Sequence, residues 1–74
     1  PELELKFLMS VVRAAFSARR KTMRNSLTHS GGFGVKPELV MEAFQVSGID
    51  PGRRPESMSL DEFALLAREM KARL

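Results

Sequence analysis

Cysteine, tryptophan and tyrosine are missing from these 74 residues, and histidine occurs once, at position 29. Without cysteine there are no disulfides, thiolate zinc sites, CxxC redox pairs or cysteine nucleophiles. His29 alone leaves a transition-metal centre or a histidine-centred catalytic set almost without material, so neither metal nor catalytic residues are expected. Apolar runs are only a few residues long, as in Phe7-Leu8-Met9, whereas a membrane span needs roughly 20. The acidic opening, with Glu2 and Glu4, resembles neither a signal peptide nor a transit peptide. A membrane is therefore not an expected partner, and the cytoplasm is the expected location. A chain this short buries only roughly 60% of the surface exposed on unfolding, which predicts one domain over 1–74 with one core.

Acidic residues are also missing from a long interval, since none lies between Leu5 and Pro37. Residues 1–37 hold seven lysines and arginines against two glutamates, a net +5, while residues 38–74 hold five against seven, a net −2. The basic groups of the first half thus lack local partners and project a field suited to a polyanion.

Four helical segments and no strand emerge from the pattern. Leu5, Leu8, Val12, Ala15 and Phe16 recur at the helical period from Leu3 to about Phe16. Arg19 would fall on the same apolar stripe if the helix continued. The spacing therefore predicts a break near Ser17, with Ser17 capping a second helix through about Leu27. Residues 28–34, with Gly31, Gly32 and Gly34, form a connector; no strand precedes them and no Gly-Lys-Ser/Thr follows, so a phosphate loop is not indicated. Phe33 in that loop is a weak candidate for stacking on a base. Pro37 at a first helical position and Gly48 as terminator delimit a third helix over 37–47. Asp50-Pro51-Gly52 reads as a turn, and Ser59 with Glu62 as a capping box opening a last helix whose Phe63, Ala67, Met70 and Leu74 share a side. The prediction is a compact all-α bundle of three to five short helices, packed through Leu8, Val12, Phe16, Phe44, Phe63 and Ala67.

The most informative stretch is FSARRKTMRNSL, residues 16–27. Arg20 and Arg24 are four apart and would face one way, with Arg13 and Lys6 extending the stripe if the helices were nearly continuous. Arginine forks grip phosphate oxygens in pairs, Lys21 adds a point charge, and Thr22, Asn25 and Ser26 offer neutral hydrogen bonds. The candidate RNA contacts are Arg13, Arg19, Arg20, Lys21 and Arg24. The same charges also suit a solvated face, and Arg19, core-facing in phase, is expected to pair with a carboxylate of the 50–56 turn, Glu56 first. A helix-turn-helix DNA binder fits the size, although here a long loop follows the basic residues where that motif has a tight turn.

FSARRKTMRNSL (16–27), GIDP (48–51), RPESMSL (54–60) and EFA (62–64) in this order resemble the C-terminal helical domain of KsgA-type ribosomal RNA adenine dimethyltransferases. The resemblance covers about Phe7 to Ala67, and the glycine loop departs from it. It implies a full-length enzyme that uses S-adenosylmethionine to dimethylate two adjacent adenosines of small-subunit rRNA. Such an enzyme has a Rossmann-like catalytic domain in front of a helical one. The chain carries neither the glycine-rich cofactor motif nor the Asn/Asp-Leu-Pro-Tyr/Phe catalytic motif. The resemblance thus implies a detached accessory domain, cofactor-free and inactive alone. Its expected partners are small-subunit rRNA or the pre-30S particle and the missing catalytic domain; holding that catalytic domain is the alternative role.

Overall fold

The computed structural model describes residues 2–17, 22–30 and 36–73. Four helices lie among them: α1 (Glu2–Phe16), α2 (Met23–Ser30), α3 (Pro37–Ser47) and α4 (Leu60–Lys71), with a 3-10 turn at Pro55–Ser57 before α4. The described residues contain no strand, so the predicted all-α class holds. The 28–34 connector beyond Ser30, Leu74 and the expected Arg19–Glu56 pair lie outside the described residues.

Each helix packs on its sequence neighbour, and α4 closes back onto α1, giving a cycle of contacts α1–α2–α3–α4–α1 within 30 × 21 × 21 Å. Phe16 at the end of α1 meets Phe63 near the start of α4, with ring centroids 6.1 Å apart. Residues Glu4, Leu5 and Leu8 line a groove with Ala67, Lys71 and Ala72 at the other end, so α1 and α4 run antiparallel. The core holds Val11 and Ala15 from α1, Met23 and Leu27 from α2, Val40, Ala43 and Phe44 from α3, and Phe63, Leu66, Ala67 and Met70 from α4.

Local chemistry explains the best-defined ends. Pro37 occupies the first turn of α3, where its missing N–H is not needed, and Gly48 ends the helix at φ 75°, a left-handed conformation that costs a residue with a Cβ roughly 1–2 kcal/mol. The Gly48 and Ile49 amides donate back to the Phe44 carbonyl at 3.0 and 3.2 Å, and Ile49 folds into the core. At α4 the predicted capping box is present: Ser59 Oγ accepts from the Glu62 amide at 3.1 Å, and Glu62 Oε1 from the Ser59 amide at 2.9 Å.

Two expectations are corrected. Phe16 is not a core residue: it is 53% exposed, and Leu5 is 58% exposed, while Val11 is fully buried. Because α1 lies between α2 and α4, its buried line runs through Val11 and Ala15, with Leu8 and Val12 partly buried beside it and Leu5, Met9 and Phe16 exposed. Nor does Ser17 cap α2. Its hydroxyl donates to the Ala14 carbonyl at 2.7 Å and so finishes α1, while Thr22 Oγ1 accepts from the Asn25 amide at 3.3 Å and starts α2.

Candidate nucleic-acid interface

Arg13, in the last turn of α1, and Arg24, in the first turn of α2, are both exposed, and neither joins an ion pair among the described residues. Arg19, Arg20 and Lys21 lie outside the described residues. The single continuous stripe running from Lys6 to Arg24 is not formed, because α1 ends at Phe16 and α2 begins only at Met23.

The placement of Arg24 opposes helix electrostatics. A helix N-terminus carries partial positive charge and favours carboxylates, yet α2 has no acidic residue in its first turn and has Arg24 there, just after Arg19, Arg20 and Lys21 in the sequence. A solvated face selected for stability would hold the opposite charges. The free amides of α2 are also occupied: Met23 N–H donates to the Arg53 carbonyl at 2.7 Å and Arg24 N–H to the Pro51 carbonyl at 2.9 Å. An anion at this end must therefore be held by side chains, not by the helix amides.

Arg24, Asn25 and Thr28 form one wall of a shallow groove of about 350 Å³, facing Pro37, Glu38 and Met41 of α3. Of the neutral groups expected to reach a nucleic acid, Asn25 is exposed, but Ser26 is 2% exposed and unavailable, and the Thr22 hydroxyl serves the helix start. Thr28, which sequence phase did not single out, is on the groove wall, four residues beyond Arg24 on the same helix face.

Arg53 is the residue that sequence reasoning missed. Its guanidinium donates to both Glu62 carboxylate oxygens, with Nη2 to Oε1 at 3.1 Å, and to the Ser57 carbonyl, while Nε reaches Ser57 Oγ at 3.3 Å. Arg73 makes a second tie, from the end of α4 to Glu42 of α3 at 3.1 Å and to Glu69 at 3.0 Å. The Arg53 fork, followed by the Ser59 amide, lowers the Glu62 carboxyl from 4.5 to about 2. A carboxyl lowered on folding stabilises above its unfolded value and loses that contribution as pH falls toward the folded one. Glu62→Gln should therefore melt lower than the parent at neutral pH, and the gap should close between pH 4.5 and about 2. Thermal melts across that range check this; a gap independent of pH would contradict it.

Among the described residues, no cluster of three or more His, Cys, Asp or Glu could hold a metal ion, and no helix is long and apolar enough to cross a membrane. Neither a protein-family model nor a solved structure matches the chain. Curated proteins do. The chain is 49% identical over 67 residues to ribosomal RNA small subunit methyltransferase A of Geobacter metallireducens, covering 90% of this chain and 24% of that protein. It is 52% identical over 64 residues to the protein of the same name from Syntrophotalea carbinolica (85% and 23%), and 45% over 65 residues to that of Moorella thermoacetica (88% and 22%). The chain spans about a quarter of the length of these relatives. An all-α fold among the described residues agrees with the resemblance carried by residues 16–27 and 48–64, and over 85–90% of its length the chain is similar to a segment of about a quarter of ribosomal RNA small subunit methyltransferase A proteins, the KsgA-type enzymes.

Proposed function

We propose that the chain is an rRNA-binding accessory domain of a cytoplasmic, S-adenosylmethionine-dependent 16S rRNA (adenine-N6,N6) dimethyltransferase, and that it helps to seat the enzyme on the small ribosomal subunit. The observation that carries this reading is Arg24, in no ion pair among the described residues and placed in the first turn of α2 where helix electrostatics favour an acid. Arg13, Arg20, Lys21 and Arg24 hold phosphates and Asn25 a sugar or phosphate oxygen, with Arg19 shared between RNA and a structural carboxylate. The methyl-transfer chemistry belongs to a catalytic domain.

The test is titration of the 74-residue chain with a hairpin of small-subunit rRNA at several salt concentrations. With four phosphate contacts, log affinity should fall with log salt at a slope of about −3. Absence of binding, or binding indifferent to salt, would remove the reading.

A second reading rests on a different surface. Leu5, Met9 and Phe16 are exposed on α1 and Leu60 on α4, and Leu5 also lines a groove of about 480 Å³ between the two helices. In this reading the domain holds the catalytic domain through that apolar surface. The α4/α1 seam lies across the cycle of helices from the α2/α3 seam that carries Arg24, so the two roles are sterically compatible.

A further inference from the structure

The hydrogen bonds between the 50–54 turn and α2 join two parts of the sequence that are far apart and chemically unlike. Asp50 shapes the turn, with Oδ1 accepting from the Gly52 amide at 2.8 Å and its carbonyl from the Arg53 amide at 3.1 Å. The turn then presents the Pro51 and Arg53 carbonyls to the Arg24 and Met23 amides. On its other side the Arg53 fork is fixed to Glu62 and to Ser57 of the 3-10 turn, and Glu62 is itself fixed in the capping box of α4. One residue thus connects the start of α4 to the start of α2: through its side chain in one direction and its carbonyl in the other.

We propose that Arg53 is a positioning residue for RNA binding: it locks the 50–54 turn to α4 so that the turn fixes the first turn of α2, and with it Arg24. This rests on the RNA-binding reading above. α2 has only eight residues, and a helix that short has little stability of its own, so its direction depends on what holds its ends. Met23 and Leu27 hold its apolar side in the core, and the turn holds its N-terminal amides. Arg53 does not itself contact the RNA, since all three of its nitrogens are committed to Glu62 and Ser57. Its neighbour Arg54 is exposed and joins no ion pair among the described residues, so the two adjacent arginines have different roles.

The experiment compares the parent chain with Arg53→Met and Arg53→Lys, using the same rRNA hairpin. Methionine keeps the apolar stem and removes the fork; lysine keeps the charge but cannot make the two-pronged bond. Both variants should bind about tenfold more weakly with an unchanged salt slope, because no phosphate contact is lost, whereas loss of a direct contact lowers the slope by about one. Amide hydrogen exchange at Met23 and Arg24 should quicken while that at Val40, Phe44 and Leu66 stays as in the parent. Should Arg53→Met fail to fold, the lysine variant carries the comparison. Parent-like affinity in a folded variant, or a slope reduced by one, overturns the proposal and leaves RNA binding standing. A parent chain that binds no RNA overturns both.

Discussion

Phe44→Ala is expected to leave the chain barely folded at 37 °C. The ring is 1% exposed in a core to which all four helices contribute, and the backbone carbonyl of the same residue receives the amides that end α3. Truncating a buried phenylalanine costs about 3–5 kcal/mol, part from lost burial and part from the cavity left behind. A 74-residue domain has in total about 4–11 kcal/mol. The substitution therefore removes at least about a quarter of the stability. One kcal/mol shifts the midpoint by roughly 4–8 °C at this size, so the melt should drop by more than 10 °C and broaden. Val46→Ala, two residues along the same helix at 57% exposure, should change it by under ~0.5 kcal/mol. Circular dichroism melts of the two variants decide the matter, and equal shifts would mean that the core is not centred on α3.

The largest effect on binding is expected from the double substitution Arg20→Ala with Arg24→Ala. A charge-assisted hydrogen bond contributes about 1.5–3 kcal/mol, so losing two phosphate grips should weaken rRNA affinity by about 100-fold or more. The salt slope should shrink by about one per residue. Stability should move the other way. Arg24 lies at the positive end of α2, and its removal relieves a repulsion, so the melting midpoint should stay level or rise slightly. That opposition of signs separates an RNA contact from a structural residue. A folded double variant with parent-like affinity would count against the assignment, and a folded one with a clearly lowered midpoint would show that the arginines serve the fold.

What could be read in advance follows from the range of the interactions involved. The bounds of α3 are set by Pro37 and Gly48 and the start of α4 by Ser59 with Glu62, each a matter of a few neighbouring residues, and all were legible. The orientation of α1 was not. With apolar side chains at Leu5, Leu8, Met9, Val11, Val12, Ala15 and Phe16, several rotations of the helix fit the periodicity equally well, and contact with α2 on one flank and α4 on the other selects among them. Ser17 and Thr22 are both competent caps, and only the Ala14 carbonyl taking the Ser17 hydroxyl distinguishes them. In the candidate interface the sign of the charge was visible, but the burial of Ser26 was not, since that depends on how α2 packs between α1 and α3. The linkage through Arg53 was out of reach for the same reason. The sequence showed a turn at Asp50-Pro51-Gly52, and nothing local says which helix ends the turn meets.

The antiparallel closure of α4 on α1 has a consequence for whatever polypeptide is joined to this fold. Glu4 and Leu5 near its beginning and Lys71 and Ala72 near its end line the same apolar groove. A segment attached at either end by a short linker is therefore tethered beside that groove at an effective concentration in the millimolar range. Such a tether makes weak intrinsic affinity sufficient, so on the second reading proposed above the exposed residues Leu5, Met9 and Phe16 need little affinity of their own to hold the attached domain.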